Sequence, residues 1–210
     1  MEDKIQCSNE TSMQFTKIPP WHLCRPEVHV SVELHKTISK SDNTFLQHYL
    51  TLEHINIKWK NNLHIYTDGS RDPLNGNATA SFYIPGMKIV QGKRMQDFTS
   101  SYRAELAAIV LALRWLDEAN VYNKVVVLSD SLSALQAIKE NKEENFVKEI
   151  IVLTTGLKYR GILICLEWIP SHCGIIGNET ADFYAKKSSK AANRNYKRPK
   201  YALAIIVKID

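Results

Sequence analysis

The chain has 210 residues, of which 44% are hydrophobic and 23% charged, a composition typical of a globular protein with one domain of ordinary size and short appendages. No stretch approaches 18 uncharged apolar residues, and the first 30 residues lack the apolar run of a secretory signal, so we expect neither a membrane span nor secretion. The four cysteines form no C-x-x-C pair, which argues against a zinc ribbon or a disulfide framework and favours the reducing cytosol or nucleus. The formal net charge is +5.

Residues 1–60 are predicted to be a connector or auxiliary segment that is partly irregular. The segment is polar at its start and has three prolines within residues 19–26. Weak alternation of apolar and polar residues over 29–34 is typical of an edge strand, and the apolar spacing over 44–57 predicts a short helix.

Three strands are predicted after this segment. The first begins at Leu63 and stops at Asp68-Gly69-Ser70, and a loop rich in Asp, Pro, Asn and Gly follows it. The other two cover residues 78–84 and 88–95 and are joined by a tight Pro85-Gly86 turn. The short connections predict an antiparallel meander.

Helices and buried strands alternate through the rest of the domain. Apolar residues at helical spacing predict a long helix, and continuous apolar runs predict strands that are buried on both sides. The predicted elements are a helix at 101–119, a strand at 124–128, helices at 130–141 and 143–157, a strand at 161–168 and a last helix at 177–189. This order predicts an α/β fold, with a mixed five-stranded sheet of three antiparallel strands and two further strands, and with helices on both faces.

Residues 190–210 are predicted to be a basic C-terminal tail. They carry six basic residues against Asp210 alone, so the whole positive excess of the chain lies there. A basic tail suits a polyanionic partner such as nucleic acid, and it also describes a solvated chain end. The apolar run Tyr201–Val207 matches no motif.

Four carboxylates are predicted to meet at one edge of the sheet. Asp68 ends the first strand, Asp130 follows the fourth, and Glu105 and Asp182 lie in the first turns of the long helix and of the last helix. In open α/β sheets, chemistry collects where strands end and helices begin. Four like charges in one cleft raise each other's pKa values unless a cation is bound, and hard oxygen ligands select Mg²⁺ or Mn²⁺.

Each carboxylate also has a structural explanation of its own. Asp130 between two serines is typical of a helix N-cap, and Asp68 before a glycine is typical of a turn. Asp182 near a helix start complements the helix dipole, and Glu105 is also explained as a surface residue at the border of an apolar face. The four together, each at a strand end or a helix start, favour the metal site.

His172 lies in the loop Pro170–Gly174, between the last strand and the last helix. A histidine on such a loop is suited to donate a proton or to assist product release, and it is also compatible with an exposed residue without a role. The adjacent Cys173 suggests a Cys–His nucleophile. We disfavour that interpretation because neighbours in sequence do not face each other and no third partner is evident.

With these residues assembled, the chain resembles type 1 ribonuclease H. Five segments match the motifs of that family in order over residues 61–189: Tyr66-Thr-Asp-Gly-Ser70, Tyr102-Arg-Ala-Glu-Leu106, Leu128-Ser-Asp-Ser131, Ser171-His-Cys-Gly174 and Asn178-Glu-Thr-Ala-Asp182. More narrowly, the run Ser129–Leu135 and the upstream Pro19-Pro20-Trp21 resemble the RNase H domain of non-LTR retrotransposon polyproteins. Residues 1–60 would then be the connector that follows a reverse transcriptase.

The resemblance implies endonucleolytic hydrolysis of the RNA strand of RNA–DNA hybrids by two Mg²⁺ ions, with Mn²⁺ as a substitute, leaving 5′-phosphate and 3′-hydroxyl ends. By the family pattern, Asp68 would bridge both ions, and Asp182 would help to hold the ion that activates the attacking water. Glu105 and Asp130 would hold the ion that stabilises the leaving 3′ oxygen. His172 would assist water positioning or product release.

The resemblance also implies recognition of the hybrid by its shape and its 2′-hydroxyls. The residues expected to line the minor groove or to contact the backbone are Gly69, Ser70, Ser101, Tyr102, Arg103 and Ser131. Two features depart from the family: Leu132 stands where many members carry a polar residue, and residues 139–145 are too few for the extra helix and basic loop of some cellular members. Members without that loop often depend on a neighbouring domain for affinity, which would here be a reverse transcriptase in cis or in trans.

Two other functions are left open by the sequence. One is a nucleic-acid-binding module of the same fold that cleaves little in isolation, because the partner domains that would supply affinity are missing; the balance of acidic and basic residues over 61–189 fits such a dependence on a partner. The other is a strand-transferring or DNA-cutting enzyme of this fold. The Ser-His-x-Gly loop and the placement of Asp182 on a helix favour ribonuclease H over that enzyme.

Overall fold

The structure is a computed structural model that describes residues 28–39, 41–119, 123–191 and 204–208, with the backbone alone for 189–191 and 204–208. The motif Pro19-Pro20-Trp21 and the tail residues Arg194, Lys197, Arg198 and Lys200 lie outside the described residues. Among the helices that the structure describes, none has the length and apolar character needed to cross a lipid bilayer.

The described part of the chain forms seven strands and six α-helices. In order they are β1 (His29–Ser31), α1 (Glu33–Thr37), α2 (Thr44–Lys58), β2 (Leu63–Arg71), β3 (Ala78–Ile84), β4 (Ile89–Arg94), α3 (Ser101–Ala119), β5 (Lys124–Ser129), α4 (Leu132–Lys139), α5 (Asn145–Tyr159), β6 (Leu163–Trp168), α6 (Ile176–Ala191) and β7 (Ala204–Lys208). The Pro85-Gly86 turn is the start of a single 3₁₀ turn between β3 and β4.

The strands of the described residues form one mixed sheet in the order β1-β6-β5-β2-β3-β4-β7. β2, β3 and β4 are the predicted antiparallel meander, and β5, β6 and β1 continue the sheet in parallel with β2. The α/β class is confirmed. The predicted number of five strands was too low, because β1 and β7 extend the two edges and each pairs with a strand far away along the chain.

Helices cover both faces of the sheet, as predicted. On one face α3 packs on β2 and β3 and is flanked by α4 and α5. On the other face α6 packs on β2, β3 and β4. β5 lies inside the sheet between β6 and β2 with Val125 to Leu128 fully buried, which explains its continuous apolar run.

The segment before β2 also packs on the domain. Its apolar residues Leu34 and Ile55 belong to the main core cluster. Glu167 of β6 is fully buried and accepts hydrogen bonds from Ser31 Oγ (2.9 Å) and Trp59 Nε1 (3.0 Å). The described residues of β1, α1 and α2 are therefore tied to the sheet by both apolar and polar contacts. The domain boundary at residue 60 stays a prediction.

Candidate active site

The four predicted carboxylates line one cleft of about 480 Å³ beside the C-terminal halves of the central strands β2 and β5. Asp68 lies in β2, Glu105 in the second turn of α3, Asp130 directly after β5, and Asp182 on α6. One carboxylate oxygen from each of the first three lies within 4.8 Å of the other two. Asp182 closes the α6 side of the cleft.

The alternative roles of these acids as a helix cap, a turn residue, a partner of the helix dipole and a surface residue do not match the positions that the structure gives them. Asp130 precedes the N-cap of α4, which is Ser131. Asp68 lies within a strand that continues to residue 71, so it does not begin a turn. Glu105 is only 9% exposed, and Asp182 lies beyond the first turn of α6. The fold therefore directs all four acids to the cleft.

A glycine lets β2 and α3 approach closely enough to bring two of these acids together. A Cβ atom added to Gly69 would lie 2.2 Å from the backbone nitrogen of Glu105, far inside van der Waals contact. The Gly69 N–H also donates a hydrogen bond to the Glu105 carboxylate. The glycine next to Asp68 thus sets the distance between the strand and the helix that carry the site.

Gly69→Ala is expected to destabilise the fold by about 3 kcal/mol, because the methyl group meets the α3 backbone, which cannot move without shifting the helix. Chemical denaturation monitored by circular dichroism measures this loss. Gly156→Ala is the matched control: Gly156 lies on the exposed face of α5 with nothing near its added Cβ, so its replacement should stabilise by up to about 1 kcal/mol. Equal effects of the two substitutions would contradict the close approach of β2 and α3.

The cleft is electrostatically strained in the absence of a bound cation. Burial, together with the charges of Asp130 and Asp182, raises the pKa of Asp68 to about 7. Burial and the charge of Asp68 raise the pKa of Glu105 well above its ordinary value. Burial also raises the pKa of Asp130, although a hydrogen bond from Asn178 opposes that change.

The donor set fits a hard divalent cation. Asp68 Oδ2 and Glu105 Oε2 are buried and have no hydrogen-bond partner among the residues that the structure describes. A buried carboxylate oxygen without a partner carries a desolvation cost that metal coordination removes. The ligands are oxygens from several carboxylates, which is the chemistry that Mg²⁺ and Mn²⁺ prefer.

Two residues to which the sequence assigned no role contact the acids: Asn178, which is buried, and Lys186, which also lines the cleft. Asn178 is 2% exposed, and its Nδ2 donates to Asp130 Oδ2 at 3.0 Å. Lys186 Nζ lies 2.7 Å from Asp182 Oδ2, one helical turn away. The i, i+4 spacing of the second pair is a signal that sequence carries. The first pair, 48 residues apart, has no such local signal.

The loop histidine lies at the rim of the cleft. The His172 side chain is 69% exposed, and its Nδ1 lies 3.9 Å from Glu179 Oε2. The neighbouring Cys173 is buried, its Sγ donates to the Pro170 carbonyl, and burial raises the pKa of its thiol. A buried thiol with a raised pKa is a poor nucleophile, which agrees with our preference against a Cys–His pair.

The residues predicted to contact substrate divide into two groups. Gly69, Ser70, Ser101, Tyr102 and Ser131 line the cleft together with Arg71, Ser133 and Ser171. Arg103 lies away from it: the guanidinium stacks over the Phe146 ring at 5.4 Å and lies 3.4 Å from Glu144. The roles of these residues stay predictions.

Comparison with known proteins identifies the family of the chain. The sequence profile of the RNase H family matches residues 60–190. Human Ribonuclease H1 is 28% identical over 151 residues, which cover 60% of this chain and 49% of the human protein. The chain thus spans about half the length of that curated relative. The profile covers more than half of the chain and includes all four clustered carboxylates, and the chain belongs to the RNase H family.

Proposed function

We propose that this protein hydrolyses the RNA strand of RNA–DNA hybrids and leaves 5′-phosphate and 3′-hydroxyl ends. The reaction would use two Mg²⁺ ions, for which Mn²⁺ can substitute. The observation that carries the proposal is the cluster of Asp68, Glu105 and Asp130, with oxygens within 4.8 Å of one another. Two of these carboxylates keep a buried oxygen without a partner in the described part of the chain. Membership of the RNase H family supports the same chemistry.

The acids of the cleft would hold the cations, and other residues would keep those acids in place. The four metal-holding residues are Asp68, Glu105, Asp130 and Asp182. When bound there, divalent cations would supply activation of the attacking water and neutralisation of the charge on the leaving oxygen. Asn178 fixes the rotamer of Asp130, while Lys186 partly neutralises Asp182. His172, on the exposed loop, can hold or donate a proton at the rim of the cleft.

The cleft offers hydroxyl and peptide groups that suit the minor groove of a hybrid. Ser70, Ser101 and Ser131 present hydroxyls beside the acids, and Tyr102 adds an aromatic side chain. Such groups can recognise 2′-hydroxyls and the shape of the minor groove, and this recognition does not depend on contacts with the base edges. We therefore expect the protein to select hybrids by their shape, with little dependence on base sequence.

A cleavage assay with three duplexes tests the proposal. The purified chain is incubated with a labelled RNA–DNA hybrid, with duplex DNA and with duplex RNA, first in Mg²⁺ and then in EDTA. Mg²⁺-dependent cutting of the hybrid's RNA strand alone supports the proposal. Binding of the hybrid without cutting, with an affinity that falls as salt rises, supports the binding module instead.

Mg²⁺ is expected to raise the melting temperature of the chain, and more so at pH 8 than at pH 6. Metal binding requires deprotonated carboxylates, and the pKa of Asp68 near 7 leaves most of that group protonated at pH 6. At about 100 times the dissociation constant, the shift should reach roughly 5–10 °C. Scanning fluorimetry at constant ionic strength measures it. An equal shift in the Asp130→Asn variant would count against binding at this site.

We also propose an origin in a non-LTR retroelement, with a reverse transcriptase as partner in cis or in trans. The run Ser129–Leu135 and the Pro19-Pro20-Trp21 motif support this origin. The balanced charge of residues 61–189 supports the partner, because a hybrid-binding protein gains much of its affinity by neutralising phosphates.

A further inference from the structure

The helix α2 lies outside the part of the chain that the family profile matches, yet it contacts the loop that carries His172. His48 of α2 has its Nδ1 2.9 Å from the backbone oxygen of Cys173. The two residues are 125 positions apart in sequence. The imidazole of His48 also lies against Gly174, because a Cβ atom at that glycine would be 3.4 Å from the ring nitrogen.

The loop has a backbone that needs outside support. His172 has φ +50° and Gly174 has φ +81°, so two of three consecutive residues are in the left-handed region. For a non-glycine residue this conformation is sparsely populated and persists where surrounding contacts hold it. The buried Cys173 between them is anchored by its thiol and by its carbonyl.

We propose that His48 is a positioning residue, whose Nδ1–H bond to the Cys173 carbonyl holds the loop so that the His172 imidazole stays at the cleft. A carbonyl oxygen only accepts hydrogen bonds, so His48 Nδ1 must carry the proton. Both the neutral Nδ1–H tautomer and the imidazolium satisfy this requirement, and the bond therefore does not depend on the charge of His48. The catalytic consequence rests on the proposed function, whereas the effect on the loop does not.

A second contact connects the segment before β2 with the backbone of Asp130. The ring of His35 in α1 packs edge-on against Trp168, with ring centroids 5.1 Å apart. Trp168 Nε1 in turn donates to the backbone oxygen of Asp130 at 3.2 Å. The helices α1 and α2 thus contact residues that hold the loop of His172 and the backbone of Asp130.

Hydrogen exchange tests the positioning role without reference to cleavage. In the full chain, His48→Leu removes the donor and should make amide exchange in residues 171–175 about tenfold faster. His48→Asn should keep exchange close to wild type, because the Asn Nδ2 occupies the place of the histidine Nδ1. The exposed Glu53 on the same helix supplies the control Glu53→Gln, which should change nothing. Unchanged exchange in His48→Leu would overturn the proposal.

Kinetics separate positioning from a merely structural contact. We expect His48→Leu to lower kcat about tenfold with little change in KM, and to have no further effect in a His172→Ala background. An equal fall in kcat in the wild-type and His172→Ala backgrounds would show that His48 does not act through His172. If His48→Leu does not fold, His48→Gln replaces it in the test. The Gln side chain places its donor at the Nε2 position, so this variant should show the fall in kcat that His48→Asn does not. A wild-type chain that cuts no hybrid would refute the proposed function, and the exchange result would still decide the role of His48.

Discussion

Asp130→Asn is expected to lower cleavage of the hybrid's RNA strand by about 10³-fold or more while the chain stays folded. The amide removes one charged ligand from the cation site, which supplies several kcal/mol of transition-state stabilisation, and each 1.4 kcal/mol is about tenfold in rate. Folding should survive because the Asn oxygen can still accept the hydrogen bond from Asn178. Burial already raises the pKa of Asp130, so a neutral group suits the position.

Single-turnover rates at saturating hybrid, together with a thermal unfolding curve of the same preparation, measure both halves of this expectation. Asp117→Asn is a suitable control, because Asp117 is exposed near the end of α3. Its carboxylate forms an ion pair with Arg160, the C-cap residue of α5. It should cleave like wild type. Full activity of Asp130→Asn would contradict the assignment of this acid to the cation site.

Asp68→Asn is expected to abolish cleavage and, without divalent cations, to make the chain more stable at pH 8. Folding raises the pKa of Asp68 from its ordinary 3.8 to about 7. The folded state therefore binds this proton more tightly than the unfolded state, and the metal-free protein loses stability as pH rises through the window between these values. At pH 8 the wild type carries the full cost of a buried charge, which the amide does not.

The gain for Asp68→Asn should be about 4 kcal/mol, or a Tm increase of roughly 8–16 °C, at pH 8, and much smaller at pH 4. Thermal unfolding in EDTA at the two pH values measures it. Glu118→Gln removes an exposed acid from the end of α3 and should change stability by less than about 0.5 kcal/mol. A pH-independent difference between Asp68→Asn and wild type would mean that the acid is not destabilised by burial.

The sequence was sufficient to predict helices and strands where the pattern of apolar residues is local and periodic. The apolar spacing along α3 predicted its bounds at 101–119, and the continuous apolar run of β5 predicted a strand buried on both faces. The clustering of the four carboxylates followed from the rule that strand ends and helix starts of an α/β sheet share an edge. That rule depends on the order of elements, which the sequence patterns carry.

Contacts between distant segments were not predictable. β1 has only three residues, and its place beside β6 is set by tertiary packing and by the burial of Glu167. The partnership of Asn178 with Asp130 needs the folded sheet to bring α6 next to the end of β5. The contact of His48 with the His172 loop is of the same kind, since it links residues that no local pattern relates.

The most direct test of the account is the identity of the cut strand and of its new ends. A hybrid with a labelled RNA strand is cleaved in Mg²⁺, the products are sized, and their ends are read by ligation to adapters specific for 5′-phosphate and for 3′-hydroxyl. We expect internal cuts in RNA alone, with ligatable 5′-phosphate and 3′-hydroxyl ends, and no products in EDTA. Three results would contradict this expectation: cleavage that continues in EDTA, products that end in 2′,3′-cyclic phosphate, and cuts in the DNA strand.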